Sequence, residues 1–265
     1  AGVDPSGGAG VFADLKAFSA LGAYGCGVVT ALTAQNTQRV DAVALTDPDF
    51  VARQLDTLFE DVHIDAIKIG MLGTGELTKA VADGLRRHAI GIPVVLDPVM
   101  ISKSGDPLLQ PEAVSALRNQ LLCLATVVTP NLPEAGELLG TEPPTTLAQM
   151  RSAARELKQL LKPESSWVVL KGGHLDGPAV DLVYDGREIV ELASKRIDTK
   201  NTHGTGCTLS AAIAALIPIS PDVPTAVKQA KDYLTEAIAR SGDLTVGSGH
   251  GPVHHFHQLW PAGGG

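Results

Sequence analysis

The chain has 265 residues, 44% of them hydrophobic and 19% charged, with a formal net charge of −8. No apolar run approaches the roughly 20 residues that span a bilayer, and the acidic balance argues against nucleic acid as a partner. Three cysteines, Cys26, Cys123 and Cys207, are odd in number and far apart, which fits neither a disulfide framework nor a zinc spacing and leads us to expect a reducing compartment, the cytoplasm.

Short β-branched runs alternate with longer helical patterns. The loop Asp4-Pro-Ser-Gly-Gly-Ala-Gly10 leads into a helix expected over 9–21, where Phe12, Leu15, Phe18 and Leu21 recur at helical spacing. A strand is expected at 26–30, followed by the loop Thr33-Ala-Gln-Asn-Thr37. Helices then follow at 49–59, 76–88, 112–122 and 146–161, interleaved with strands at 66–70, 94–97, 126–129 and 167–171. Strands at 180–184 and 189–192 flank Asp185-Gly186 and read as a hairpin. The last helices are expected at 206–216 and 224–240, and 247–265 receives no element. Pro48, Pro111 and Pro224 stand where proline suits a helix start. Such alternation predicts an α/β fold, a three-layer α/β/α domain with a mostly parallel central sheet. No repeat or linker divides residues 1–265, so one domain is expected.

Lys68, Met71, Asp97, Asn131 and Lys171 all fall at or just past the carboxyl end of an expected strand, the edge where open parallel sheets bind ligands. The run Asn201-Thr-His-Gly-Thr-Gly-Cys207 precedes an apolar helix. Its small residues let backbone N–H groups converge on the positive end of that helix, which makes a seat for an anion. Cys207 falls in the first turn, where a thiol pKa is expected to drop toward neutrality. Neither a P-loop nor a dinucleotide-binding glycine fingerprint is present. Acids, an amide and a lysine at one sheet edge, beside an anion seat, suit phosphoryl transfer, with Mg²⁺ and lysine neutralising phosphate charge.

Each motif also has a plainer reading. The 4–10 loop could be an N-capping turn, and Asp14 an acid favoured by the helix dipole. Gln35 could close a loop or read the edge of a heteroaromatic ring; Met71 could fill a strand end or cover that ring. His250, His254, His255 and His257 fit no standard zinc pattern and are expected to belong to a structural C-terminal segment, with only adventitious metal binding.

Taken together, these motifs resemble the bacterial hydroxymethylpyrimidine/phosphomethylpyrimidine kinases of thiamine biosynthesis, a branch of the ribokinase-like superfamily. The likeness also takes in Lys68-Ile-Gly-Met71, Leu96-Asp-Pro-Val-Met100, Lys103-Ser-Gly-Asp106, Thr129-Pro-Asn-Leu-Pro-Glu134, Leu170-Lys-Gly-Gly-His174 and Gly251-Pro-Val-His-His-Phe256. It implies ATP-dependent phosphorylation of 4-amino-5-hydroxymethyl-2-methylpyrimidine and then of its monophosphate, with Mg²⁺, in a homodimer. On the substrate side it implies Gln35, Asp14, Met71 and Gly2. On the nucleotide side it implies Lys171, Asn131, Asp97, His203 and Glu134, the last also facing the metal. Gly204, Thr205 and Gly206 correspond to the anion hole. Cys207 takes the position of the sugar-kinase catalytic Asp, as the base for the first phosphorylation.

The segments 103–106 and 199–203 are expected to act as mobile covers. Val3 stands where that family usually has Ser or Thr. The family's first strand is expected just before Ala1, since the chain opens on Ala rather than Met. A pyridoxal or pyridoxine kinase on the same scaffold, and a non-catalytic pyrimidine-binding regulator, are the alternatives.

Overall fold

The computed structural model describes residues 1–265 apart from 101–109, 163, 174, 176–178 and 262–265. Its larger sheet has six strands in chain order: β4 (Ile67–Ile69), β5 (Val94–Leu96), β6 (Val127–Val128), β7 (Trp167–Leu170), β8 (Ala179–Tyr184) and β9 (Ile189–Ser194). The first four run parallel, while β8 and β9 are antiparallel and form the expected hairpin.

Alternate residues on these strands point to opposite layers. Val94, Leu96, Val128, Val168, Leu170 and Leu182 pack on one side, with α2 (Pro48–Asp61), α3 (Gly75–His88), α4 (Pro111–Ala116), α5 (Leu132–Leu139) and α6 (Leu147–Leu160). Val95, Val127, Val169 and Val183 pack on the other, with α1 (Gly10–Ala20), α7 (Thr205–Leu216) and α8 (Val223–Ala239). A sheet covered on both faces explains why its strands read as continuous apolar runs. This is the expected three-layer α/β/α arrangement.

A second sheet of three strands joins β1 (Gly2–Val3), β2 (Ala31–Gln35) and β3 (Val40–Leu45), with β1 parallel and β3 antiparallel to β2. It corrects two expectations. The strand expected at 26–30 begins only at Ala31, because the cross-strand ladder with β3 starts there. The stretch Thr33–Gln35, expected as loop, is the far half of that strand. β3 itself escaped notice because its side chains are mostly exposed and carry little burial signal. The turn between them is made by Asn36, whose side-chain oxygen accepts from the Gln38 and Arg39 amides.

Two helices also differ from expectation. The helix expected at 112–122 is α4 followed by a π turn at Leu117–Leu121 and a 3₁₀ turn at Leu122–Leu124. α5 was not foreseen, although Asn131 and Glu134 close a capping box at its start and Pro133 lies in its first turn.

The C-terminal segment is structural, as expected. His255 Nε2 is 3.0 Å from Thr208 Oγ1 in α7, and the Tyr233 hydroxyl of α8 donates to the His255 carbonyl at 2.7 Å. Burial holds the His255 imidazole down to about 3, so it is neutral there. No helix among the described residues is long and apolar enough to cross a membrane.

Candidate active site

α7 begins without a side-chain cap. Its N-cap is Gly204 at φ 76°, a left-handed conformation that glycine adopts without strain. A β-carbon there would lie 1.7 Å from the Gly8 carbonyl oxygen, so the 4–10 loop and the α7 turn fit against each other only with glycine at 204. Thr205, Gly206 and Cys207 are the first three helical residues, whose amides lack intrahelical acceptors. Such amides and the helix dipole favour an anion.

The loop is held to the turn by charge. Asp4 accepts from the Ser6 and Ala9 amides and the Ser6 hydroxyl, and its Oδ2 lies 2.6 Å from His203 Nε2. Burial opposes its ionisation, but His203 and Ser6 hold the Asp4 carboxyl below the usual carboxylate range. His203 Nε2 is therefore engaged with Asp4 in a buried contact, which braces the turn. The 199–203 segment is likewise tied down. Its His203 amide donates to the Gly251 carbonyl at 3.1 Å, and the Asn201 side-chain amide donates to the Ser241 carbonyl at 3.2 Å. Both bonds join it to the chain's C-terminal part; 103–106, the other expected cover, lies outside the described residues.

Lys171, at the end of β7, reaches the same corner. Its ammonium donates to Asp97 Oδ1 at 2.9 Å and lies 3.8 Å from Glu134 Oε2. A β-carbon on Gly206 would sit 3.3 Å from that ammonium and 3.6 Å from Asp97 Oδ2, so the anion seat and Lys171 are neighbours. Asp97 also accepts from the hydroxyls of Thr129 at 3.1 Å and Ser210 at 3.3 Å. Burial works against both charges of the Lys171–Asp97 pair, yet each favours the other's ionised form, which keeps Lys171 above and Asp97 below its ordinary value. Glu134 differs: burial and the nearby Asp97 charge push its carboxyl up to about 7 against the pull of Lys171. Asn131 and Glu134, expected on the nucleotide and metal sides, also close the capping box of α5. The Asn131 amide donates to Glu134 Oε2 at 2.7 Å, and the Glu134 amide to Asn131 Oδ1 at 2.8 Å.

On the other side of Cys207 lies a second buried pair. The Lys68 ammonium donates to both oxygens of Asp14 at 2.8 Å. Cys207 feels both residues, and the Gly10 amide at the start of α1 faces its sulfur. Burial pushes the thiol above its ordinary value; Lys68 and the Gly10 amide pull it back, while Asp14 and Asp97 add to the rise. This corrects the expectation of a thiol lowered toward neutrality. The helix terminus is there, but so is a desolvated pocket holding two carboxylates.

Gly2 and Met71 come together, as a β-carbon at Gly2 would lie 3.1 Å from Met71 Sδ. The Thr30 hydroxyl donates to the Met71 carbonyl at 2.7 Å. Gln35 is oriented from within its strand, its Oε1 lying 3.1 Å from the Thr33 hydroxyl. Sequence reasoning named Lys68 only as a strand-end residue and missed its pairing with Asp14, because 54 residues separate the two. Asp4, Thr129 and Ser210 went unassigned for the same reason.

A mainly apolar groove of about 450 Å³ runs between α1, the 22–30 segment and β4, and touches the site at Asp14, Thr30 and Lys68. The polar groups that could handle phosphate lie outside it, around the start of α7.

Residues 4–254 match the family model described as phosphomethylpyrimidine kinase. The chain is similar to the hydroxymethylpyrimidine/phosphomethylpyrimidine kinase of Escherichia coli, with 52% identity over 261 residues, covering 98% of this chain and 97% of that protein. Among solved structures it is similar to the pyridoxal kinase from Staphylococcus aureus in complex with AMP-PCP and pyridoxal. That match has a TM-score of 0.87 and 34% identity, over 97% of this chain and 92% of the other. It is also similar to phosphomethylpyrimidine kinase from Clostridium difficile 630, with a TM-score of 0.78 and 41% identity, over 89% of this chain and 96% of that one.

Proposed function

The chain belongs to the phosphomethylpyrimidine kinase family, and on that premise we propose that it transfers phosphate from ATP to 4-amino-5-hydroxymethyl-2-methylpyrimidine and then to the resulting monophosphate, in thiamine biosynthesis. The observation that carries this reading is the position of Cys207. It stands in the first turn of α7, close enough to feel the charges of both the Lys171–Asp97 and the Asp14–Lys68 pairs.

Each side has work suited to its chemistry. Lys171 and the amides of the α7 turn meet phosphate charge, which in phosphoryl transfer is spread over the equatorial oxygens. Gln35, Asp14, Met71 and Gly2 hold the ring, and Gln35 supplies both donor and acceptor for a heteroaromatic edge. Cys207 takes the proton of the hydroxymethyl group in the first step. Because the thiol rests protonated, it first gives its proton to solvent; the thiolate, steadied by Lys68 and the Gly10 amide, then takes the alcohol proton and returns to the thiol. In the second step the acceptor is already anionic and asks little of a base.

The carboxylates fit a divalent cation that arrives with the nucleotide. Asp97 and Glu134 both lie within 4 Å of the Lys171 ammonium, and Mg²⁺ is commonly held by one or two carboxylates plus substrate phosphates. Among the described residues no cluster of three or more ligating side chains forms a cage of its own. When bound, Mg²⁺ supplies charge neutralisation at the transferring group.

The reading includes a homodimer in the cytoplasm. Exposed Leu32 on one face of the small sheet and Val43 and Leu45 on the other support a partner there, and three unpaired cysteines suit a reducing compartment. Sedimentation of the purified chain tests the dimer. The likeness to a pyridoxal-bound kinase favours pyridoxal as a second acceptor. The deciding experiment follows ATP consumption with Mg²⁺ and, in parallel, the pyrimidine, its monophosphate, pyridoxal and ribose. Turnover of both pyrimidines is expected; activity confined to pyridoxal overturns the substrate, and none with any of them overturns the kinase reading.

A further inference from the structure

A buried ion pair between α8 and β8 bears on the segment that carries Lys171. Lys231, in the middle of α8, donates to Asp181 Oδ2 at 2.5 Å, and Asp181 Oδ1 accepts the Gly172 amide at 2.9 Å. Both side chains are buried, in a part of the sheet that the mechanism above does not use. Gly172 is the residue after Lys171. Its backbone lies so close to β8 that a β-carbon would fall 1.9 Å from the Val180 carbonyl oxygen. On its other edge the segment is fixed by the Lys171 amide, which donates to the Pro130 carbonyl at 2.9 Å.

The Lys171 backbone is thus held from two sides, by β6's outgoing segment and by Asp181. A carboxylate at 181 could not remain buried alone, because a desolvated charge without a partner is strongly unfavourable. Lys231 meets that need from the facing helix. The same carboxylate therefore joins α8 to the β7–β8 connection and sets where Lys171 begins its reach toward Asp97.

We propose that Asp181 and Lys231 are positioning residues for the nucleotide side of the site, with Asp181 orienting the Lys171–Gly172 segment and Lys231 neutralising it. This rests on the reading of Lys171 as a phosphate-binding lysine. The plainer alternative is that the pair only fastens α8 to the sheet. The two differ in what the Asp181–Gly172 hydrogen bond is for.

The test compares two double variants with the same net charge. Asp181→Asn with Lys231→Met is neutral and keeps an oxygen that can accept from Gly172. Asp181→Ala with Lys231→Met is neutral and lacks it. ADP is titrated calorimetrically into each full-length protein, KM values for ATP and the pyrimidine are measured, and urea unfolding records stability. We expect ADP affinity to fall roughly tenfold, with KM for ATP rising in step, only in the variant without the acceptor. KM for the pyrimidine stays within about twofold of the parent in both, a difference near the limit of one weak contact. Equal ADP affinity in the two variants, whatever their stabilities, overturns the proposal. ADP binding does not depend on the acceptor ring, so a parent protein that binds ADP without phosphorylating the pyrimidine overturns the substrate reading alone.

Discussion

The Lys68 ammonium lies 2.8 Å from each oxygen of Asp14, and both side chains are almost wholly shielded from water. The pair joins β4 to the first turns of α1 and thereby sets Asp14 near Cys207. Removing one member leaves the other charge buried alone.

Lys68→Met is accordingly expected to destabilise the fold by about 3–5 kcal/mol, read from urea unfolding. Lys68→Met paired with Asp14→Asn recovers most of that stability but not the activity, because the neutral pair no longer offers a carboxylate to the ring or a cation to the Cys207 thiolate. Full activity in the double variant would remove Asp14 and Lys68 from the site.

Gly204→Ala tests the fit between the two loops. The new methyl group would have to share space with the Gly8 carbonyl, in a conformation strained for alanine. Thermal unfolding and turnover should both suffer, with a stability loss above roughly 2 kcal/mol. Asp4→Asn is milder. Its single oxygen can serve either the Ser6 amide, which meets Oδ1, or the Ala9 amide, which meets Oδ2, but not both, and the charge facing His203 is lost, for an expected cost of about 1–3 kcal/mol.

How much of this was legible in the sequence depends on how far apart the partners stand. The layers follow from alternation of strand and helix, and the hairpin follows from Asp185-Gly186 between two β-branched runs. α5 is legible too, since Asn131 and Glu134 at a spacing of three with Pro133 between them are a helix-start signal. β3 gave no burial pattern to read. The thiol of Cys207 shows the deeper limit. Its place at a helix start is local and visible, whereas the desolvation and the Asp14 and Asp97 charges that reverse its shift come from segments 193 and 110 residues away and exist only in the fold.

Glu134 provides a pH signature. Its folded carboxyl titrates at about 7, above an ordinary glutamate near 4.5, so the native state holds a proton that the unfolded chain has lost. Stability from this residue therefore falls as pH rises from about 4.5 to 7, by at most roughly 3 kcal/mol. Glu134→Gln keeps an oxygen for the Asn131 amide and removes the titration. Urea midpoints measured across that window should decline less steeply in the variant than in the parent. Parallel slopes would mean that Glu134 is ionised throughout, held so by Lys171.

Cys207→Ala separates the two phosphorylations. The hydroxymethyl acceptor must lose a proton and the monophosphate need not, so the first step should slow by about 10²–10⁴ while the second changes far less. Alkylation offers an independent reading of the same sulfur. Because burial raises the thiol above its ordinary value, iodoacetamide should modify Cys207 slowly at neutral pH, with a midpoint on the alkaline side of an unperturbed cysteine. Lys68→Met should move that midpoint further up, since it removes the cation that opposes the rise. Equal losses in both phosphorylations, with an unchanged alkylation midpoint in Lys68→Met, would make the thiol a filler of the anion seat rather than its base.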